Sequence, residues 1–255
     1  MPLIVVAFSF KSPFLSGKNG EMIPKIFHLT APTKILSWEE RRIQRRLVRL
    51  LTDWECHLWD DADNSRLMAT HFPHIADQYE AIPFGVLKAD IARCAFMHAY
   101  GGFYFDTDYK LIKPIPPTLL NARCLLPIEE GATNTPDFKI GNAVFASQPG
   151  YPLWSDFIHF IFDRYDVVNL KEHREITQIS GPRGLTTFYQ LHHNKYPEIT
   201  FPSRDEFHPV RTWFGLAHEG GSKAYGLHLC WASWRGKTTA RAVTNFLRRK
   251  LTAPL

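Results

Sequence analysis

The stretch that decides the fold is AYGGFYFDTDYKLIKP, residues 99–114. A glycine pair precedes three aromatic residues with the character of a buried strand, and Asp106 and Asp108 end that strand one residue apart. Strand alternation puts Tyr104, Asp106 and Asp108 on one face. Two carboxylates this close repel each other unless a cation lies beside them. A divalent cation that prefers oxygen ligands, Mg²⁺ or Mn²⁺, meets that need, and a surface turn with two solvated aspartates is the alternative.

The segments around this stretch predict an α/β fold. SWEERRIQRRLVRLLTD, residues 37–53, predicts a helix with a capping box formed by Ser37 and Glu40. FGVLKADIARCAFMHAYGG, residues 84–102, predicts the helix before the aspartates, capped by its two final glycines. Strands are predicted at residues 1–10, 22–29, 55–61, 103–108, 141–148 and 227–234, and further helices at 62–72 and 153–165. Because strands and helices alternate over the first 110 residues, we expect a mainly parallel central sheet.

Length and composition indicate one globular domain. The chain has 255 residues, of which 45% are hydrophobic and 14% aromatic, enough for a sizeable core. Prolines after residue 113 predict an irregular C-terminal half. A net charge of +5 permits an anionic partner without selecting one. The four cysteines include no C-x-x-C pair, which argues against a disulfide or zinc framework and favours a reducing compartment.

The predicted helix before the aspartates adds a second charged pair. Asp90 and Arg93 lie three residues apart and therefore share a helix face. A helical ion pair is the ordinary interpretation. With Tyr104, Asp106 and Asp108, however, the order becomes D-x-x-R, a Gly-Gly cap and Y-x-D-x-D.

In this order of motifs the chain resembles the DXD-containing glycosyltransferases of family 32. These are similar to the yeast mannosyltransferases that initiate outer chains and to bacterial capsular-polysaccharide transferases, and their sugar-binding region is related to the catalytic domain of the large clostridial glucosylating toxins. The resemblance begins at IPKIFH, passes through LWDD and the central block, and continues in IGNAVFASQPGYPLW, SGPRGLT and HLCWASW. It thus covers most of residues 23–234.

The resemblance implies a GT-A-type fold over residues 1–255, with a nucleotide-sugar-binding half at about 1–118 and an acceptor-side half at 119–255. It implies a divalent cation, usually Mn²⁺ with Mg²⁺ as the alternative. The residues implied in catalysis are Asp90, Arg93, Asp106 and Asp108. Those implied in nucleotide-sugar binding are His28, Leu29, Asp90, Arg93, Tyr104, Asp106, Asn142, Ser233 and Trp234. The implied metal ligands are Asp108, Asp106 and His228.

The implied activity is that of a nucleotide-sugar-dependent hexosyltransferase acting on a glycan or lipid-linked acceptor, as in capsule or lipopolysaccharide biosynthesis. Family members retain the anomeric configuration, and the sequence offers no convincing carboxylate nucleophile. We therefore expect a front-face mechanism in which the leaving phosphate accepts the acceptor's proton. Where the family often has a base-stacking tryptophan, this chain has Ala31, so the choice between UDP and GDP stays open and Trp38 could substitute.

Two other functions compete with this one. A catalytically weak carbohydrate- or nucleotide-binding module on the same scaffold is the first, and the intact set of charged motif residues argues against it. A phosphatase with an aspartate nucleophile is the second. Its family usually has Thr or Val where Lys110 stands, and it opens with the D-x-D motif near the N-terminus. No nucleic-acid-binding motif is present.

Two further patterns have ordinary interpretations. Five arginines make one face of the predicted helix at 37–53 basic: Arg41, Arg42, Arg45, Arg46 and Arg49. A solvated face is the ordinary interpretation, and docking on an anionic membrane that carries a lipid-linked acceptor is the sharper one. We expect a cytoplasmic protein, with peripheral contact at the inner membrane face as that alternative. The histidines at 71, 74, 192 and 193 are interpreted as structural or surface residues.

Overall fold

A six-stranded sheet organises the computed structural model, which describes residues 22–209 and 223–231. Its faces are covered by two separate clusters of buried apolar side chains. The strands are β1 (Ile26–Thr30), β2 (Glu55–Trp59), β3 (Gly102–Phe105), β4 (Tyr109–Leu111), β5 (Cys124–Leu125), β6 (Ile128–Glu130), β7 (Lys139–Ile140), β8 (Val144–Ser147), β9 (Ile199–Thr200) and β10 (Gly226–His228). The helices are α1 (Trp38–Leu50), α2 (Asp61–His71), α3 (Ala76–Glu80), α4 (Gly85–Ala99), α5 (Pro152–Arg164), α6 (His173–Ile179), α7 (Pro182–His192) and α8 (Arg204–Phe207).

The strand order in this sheet is β2-β1-β3-β8-β5-β9. β1 runs parallel to β2 and to β3, and β5 runs parallel to β9, whereas β8 is antiparallel to both of its neighbours. The predicted α/β fold with a mainly parallel sheet is therefore confirmed. The strand predicted at 103–108 is shorter than expected, because β3 ends at Phe105 and leaves both aspartates in the turn that follows. The strand predicted at 1–10 lies outside the described residues.

Helix α1 begins where the capping box was predicted. The Ser37 hydroxyl accepts a hydrogen bond from the Glu40 amide at 3.2 Å, and the Glu40 carboxylate accepts one from the Ser37 amide at 2.8 Å. Ile43 and Leu47, on the apolar stripe, are buried in the cluster that also contains the residues of β4. Local sequence therefore fixes both the start of α1 and the face that it packs.

The glycine pair turns α4 directly into β3. Gly101 and Gly102 have φ values of 63° and 87°, a conformation that residues with a Cβ rarely adopt. A Cβ would lie 2.5 Å from the Pro149 nitrogen at the first glycine and 2.5 Å from the Ile26 carbonyl oxygen at the second. This tight junction holds α4 beside β3 and so brings the D-x-x-R motif near the D-x-D turn. Within the described ranges, no helix combines the length and apolar character needed to cross a bilayer.

Candidate active site

The two aspartates lie in a tight turn between β3 and β4. The Tyr109 amide donates to the Asp106 carbonyl at 2.9 Å and closes the turn. Thr107, between the aspartates, donates from its hydroxyl to the Glu40 carboxylate at 3.1 Å. This contact ties the turn to the first turn of α1. The side chains of Asp106 and Asp108 are both mostly shielded from solvent.

His228 reaches the aspartates because β10 pairs antiparallel with β4, which places His228 opposite Tyr109. Its Nε2 lies 3.2 Å from Asp108 Oδ1 and 3.7 Å from Asp106 Oδ2. Gly226 permits the pairing, since a Cβ there would lie 2.3 Å from the Tyr109 ring. The pairing therefore joins two segments of the chain that are far apart in sequence.

These three side chains have the donor atoms and spacing of a divalent-cation site. One ligand atom from each of Asp106, Asp108 and His228 lies within 4.8 Å of the other two. Adjacent ligands of an octahedral ion with bonds near 2.1 Å are separated by about 3 Å, so small side-chain movements would suffice. Carboxylates suit both Mg²⁺ and Mn²⁺, and the imidazole favours a transition metal over Mg²⁺. The donor set thus fits Mn²⁺ well.

The segment after β10 holds Asp108 in place. The Trp231 amide donates to Asp108 Oδ2 at 2.7 Å, and the Leu229 amide donates to the Asp108 carbonyl at 3.0 Å. The Trp231 side chain itself is buried. Its role here is structural, and its amide orients the second aspartate.

The charge states of these groups follow from burial and from one another. Burial alone would raise the pKa of Asp108, but the His228 charge and hydrogen bonds from His228 and from the Trp231 amide outweigh it and hold that pKa below its usual value. Burial would lower the pKa of His228, but Asp108 raises it well above the ordinary value. Burial raises the pKa of Asp106 despite the nearby Arg93. Asp108 is therefore the more firmly ionised of the two aspartates.

Arg93 connects α4 to the end of β3. Its guanidinium lies 2.8 Å from Asp90 Oδ1 and 3.2 Å from Asp106 Oδ1, and it donates to the Asn142 carbonyl at 2.7 Å. It also lies over the Tyr104 ring, 4.8 Å from the centroid. One buried guanidinium therefore bridges two carboxylates and a main-chain oxygen. The structure brings all five of these predicted site residues together.

Ser180 is a member of this group that our sequence reasoning missed. Its hydroxyl donates to Asp90 Oδ2 at 2.7 Å, while the Asn142 amide lies 3.4 Å from Asp90 Oδ1. Ser180 belongs to the SGPRGLT segment of the family resemblance, and most of that segment starts α7. A Cβ at Gly184 would lie 2.1 Å from the Ile179 carbonyl, so the small residues there serve a close approach of the backbone. The SGPRGLT motif was the only hint that Ser180 belongs to the site. The sequence did not indicate that Ser180 bonds to Asp90.

His28 and Leu29 lie deeper than a pocket-lining role requires, with exposed fractions of 0% and 1%. Both ring nitrogens of His28 are engaged: Trp59 Nε1 donates to Nδ1 at 3.1 Å, and Nε2 donates to the Gly101 carbonyl at 2.9 Å. Burial, with a smaller effect from His57, lowers the pKa of His28 to about 3. Only the main chain at these two positions remains for the predicted nucleotide contact.

The remaining predicted residues are either placed by the structure or lie outside its described part. Tyr104 is buried and donates from its hydroxyl to Asp106 Oδ1 at 2.7 Å. Ser233 and Trp234 lie outside the described residues. His74 meets His159 instead of a metal cluster, with their Nε2 atoms 2.8 Å apart.

The family comparison agrees with the motif. Residues 37–125 match the family described as "Glycosyltransferase sugar-binding region containing DXD motif". This range contains Asp90, Arg93, Asp106 and Asp108. The family resemblance predicted from the sequence is confirmed.

Two fission-yeast proteins are among the similar sequences. Inositol phosphoceramide mannosyltransferase 3 of Schizosaccharomyces pombe (strain 972 / ATCC 24843) is 30% identical over 103 residues, which cover 40% of this chain and 29% of that protein. Inositol phosphoceramide mannosyltransferase 1 of the same strain is 26% identical over 236 residues, which cover 85% of this chain and 64% of that protein. The chain thus spans less than two thirds of the length of either relative.

Solved structures agree on the architecture. The ligand-free glycosyltransferase domain from the YGT toxin gives a TM-score of 0.55 at 7% identity, covering 89% of each chain. The PaToxG glycosyltransferase gives 0.53 at 15% identity, covering 69% of this chain and 73% of that one. At these identities the comparison concerns the fold alone. The predicted GT-A fold is confirmed.

Proposed function

We propose that this chain, which carries the DXD-containing sugar-binding region on a GT-A fold, is a metal-dependent glycosyltransferase that uses a nucleoside-diphosphate sugar. The observation that carries the proposal is the group formed by Asp106, Asp108 and His228 beyond the end of β3. In open α/β sheets, ligands bind at the carboxyl ends of the strands. The names of the two yeast relatives make mannose the first candidate sugar and an inositol-phosphate-bearing lipid the first candidate acceptor.

In this proposal, Asp108, Asp106 and His228 hold the cation, and the cation supplies positive charge to the diphosphate leaving group. Asp108 is the principal ligand because the Trp231 and Leu229 amides hold it in place. Arg93 fixes Asp106 from the opposite side and contributes a permanent positive charge to the site. A polysaccharide acceptor, as in capsule or lipopolysaccharide synthesis, is the second candidate.

The hydrogen bonds of Asp90 support retention without a covalent intermediate. Oδ1 of Asp90 is paired with Arg93, and Oδ2 accepts from Ser180. Asp106 is likewise engaged by Arg93 and Tyr104. A carboxylate held by such partners is a poor nucleophile. We therefore retain the front-face mechanism, in which the leaving phosphate accepts the acceptor's proton. The same contacts weaken the phosphatase alternative, which needs Asp106 as an attacking group.

The first test is a thermal-shift titration with UDP, GDP, CDP and their common sugars, each with and without Mn²⁺. We expect one nucleotide to raise the unfolding temperature only when Mn²⁺ is present. Asp108→Asn should abolish that shift, because it removes the ionised ligand, while the apo protein unfolds near the wild-type temperature. Asp77→Asn, on the exposed side of α3, is the matched control and should keep the shift.

Transfer itself is measured as release of nucleoside diphosphate in the presence of candidate acceptors. Full Mn²⁺-dependent activity in Asp108→Asn would contradict the metal assignment. Binding of a glycan without any nucleotide or metal effect would favour the binding-module alternative. The cytoplasmic location stays a prediction that fractionation of cells would check.

A further inference from the structure

We propose that the solvent-facing side of α1 is a docking surface for an anionic lipid bilayer, and that it presents the donor site to a lipid acceptor. We call this the α1 surface and define it by Ile35, Trp38, Arg41, Arg42, Arg45 and Arg49. The docking itself is inferred from the exposure and the charge of these side chains, whereas its purpose rests on the proposed function. Its occupant is the phosphate-bearing headgroup layer of a bilayer.

The apolar part of the α1 surface projects at the start of the helix. Ile35 is 87% exposed and Trp38 is 47% exposed. Single exposed apolar side chains are common on protein surfaces, but here two occur three residues apart beside a basic stripe. Tryptophan and isoleucine at a helix end can instead enter the boundary between headgroups and acyl chains. This pair distinguishes the surface from a solvated basic face.

The charged part follows the same side of the helix. Trp38, Arg41, Arg45 and Arg49 recur every three or four residues and so form one stripe. Arg42 lies over the Trp38 ring, 4.6 Å from its centroid, which combines a cation with the apolar group.

Within residues 22–209 and 223–231, the arginines of this stripe form no ion pair with a carboxylate. The nearby Asp63 carboxylate is paired with Lys34, at 2.8 Å, and with Arg66, and not with the arginines of the stripe. Arg46 differs from them because it turns inward and donates to the carbonyls of Leu111 and Ile112. The outward arginines therefore present a concentrated positive charge, which an anionic headgroup layer complements.

The α1 surface is joined rigidly to the candidate active site. Glu40, in the first turn of α1, accepts a hydrogen bond from Thr107, the residue between the two aspartates. Arg46 fixes the middle of the same helix to β4, the strand that follows the aspartate turn. A bilayer in contact with α1 would therefore lie within reach of the donor site. A nucleic acid would use the arginines, but its hydrated phosphates would not bury Ile35.

The test is co-sedimentation of the whole chain with vesicles at about 0.1 M salt. Vesicles of phosphatidylcholine alone are compared with vesicles containing 30 mol% phosphatidylinositol or phosphatidylglycerol. We expect binding to both anionic mixtures, and salt should weaken it. Arg41→Glu/Arg45→Glu should weaken binding by at least about 30-fold, since each headgroup-facing arginine contributes about a fivefold factor and reversal removes more. Lys171→Glu/Lys195→Glu, with equal charge change at exposed positions elsewhere, should bind as wild type.

Ile35→Ser, at a position that is 87% exposed, tests the apolar part. It should weaken vesicle binding while leaving the Mn²⁺-dependent nucleotide shift unchanged. Loss of that shift would overturn the assignment, because it would place the start of α1 in the donor site. Equal binding by the Arg41→Glu/Arg45→Glu and control variants, absence of binding to anionic vesicles, or tighter binding to a random RNA would also overturn the proposal.

The two proposals fail separately. Asp108→Asn should bind vesicles as wild type does, because Asp108 is not one of the residues of the α1 surface. Vesicle binding without any sugar transfer would contradict the proposed function and would still support the docking surface. Transfer to a water-soluble acceptor without vesicle binding would do the reverse.

Discussion

Two histidines lie at opposite ends of β3, His28 fully buried and His228 half-buried, and their surroundings make them different chemical groups. His28 bonds to the Gly101 carbonyl before the strand, among aromatic rings, and burial lowers its pKa to about 3. His228 lies beyond the strand's end against two carboxylates, which raise its pKa well above the ordinary value. Desolvation acts to lower the pKa of both histidines, so their partners decide the charge. The family resemblance assigned both histidines to the ligand site, and the structure separates a structural histidine from a candidate ligand.

The difference extends to the neighbourhoods. At the His28 end, hydrogen bonds join a neutral imidazole to Trp59 and to the helix–strand junction, which stabilises the sheet without net charge. At the His228 end, three carboxylates lie around one imidazole and the Arg93 guanidinium, and loss of the imidazole proton on metal binding leaves acidic charge for a cation. Substitutions at the charged end should therefore change chemistry, and substitutions at the neutral end should change stability.

The largest effect is expected at the charged end, from Arg93→Lys. An ammonium group cannot reach Asp90, Asp106 and the Asn142 carbonyl together, whereas the planar guanidinium does. We expect turnover to fall about 10²- to 10³-fold, a size typical of losing one preorganised charge contact. Initial rates of nucleoside diphosphate release at saturating donor measure this.

Arg123→Lys is the matched control, because Arg123 forms an exposed ion pair with Glu198 at 3.3 Å. Surface pairs of that kind contribute little, so the control should keep wild-type rates. Equal rates in the two lysine variants would show that the planar guanidinium of Arg93 has no part in transfer.

His28→Ala should produce the opposite pattern. It leaves the Trp59 N–H and the Gly101 carbonyl without their buried partner and opens a cavity, so we expect a loss of about 3 kcal/mol in the free energy of unfolding. Activity per folded molecule should stay near wild type. Denaturant unfolding and active-site titration with the donor measure the two quantities. A large loss of activity with unchanged stability would contradict a purely structural role for His28.

The pH dependence of stability sharpens the same test. The folded pKa of His28 lies below the unfolded value near 6.5, so protons favour the unfolded state. Its stabilisation is complete above pH 6.5 and is lost as pH falls toward 3, by about 1 kcal/mol per pH unit. His208, whose pKa burial also lowers to about 3, should contribute a similar slope. His28→Ala should remove roughly half of that combined slope.

The sequence correctly predicted those features that depend on residues close together in the chain. The capping box of α1, the glycine pair and the shared face of Asp90 and Arg93 each depend on spacings of four residues or fewer. The bond between Ser180 and Asp90 joins residues 90 positions apart, and that between His28 and Gly101 joins residues 73 apart. Such contacts come from tertiary packing, which periodicity does not encode. His228 was found only because the family resemblance supplied the long-range information.

The end of β3 illustrates a second limit. Alternation predicted that Asp106 and Asp108 continue the strand, yet the Tyr109 amide bonds to the Asp106 carbonyl and turns the chain. Period-two patterning indicates which face a side chain takes while the strand lasts, and it does not indicate where the strand stops. The two carboxylates converge because of this turn and the pairing of β10, not because of strand alternation.

The smallest effect is expected from Ser180→Ala. This variant tests whether a hydrogen bond from Ser180 adjusts the pKa of Asp90. Burial raises the pKa of Asp90, and the Ser180 hydroxyl counteracts this by donating to the carboxylate. Its removal should raise the pKa of Asp90 further, so the activity lost on acidification should begin at a higher pH. We expect only a few-fold lower turnover at neutral pH, since one neutral hydrogen bond contributes about 1 kcal/mol. Ser155→Ala, which removes an exposed hydroxyl bonded to the Pro152 carbonyl, is the control. A common acid limb in the pH–rate profiles of the two variants would mean that Ser180 only packs against Asp90, and that the charge of the site is set by Arg93 and the carboxylates alone.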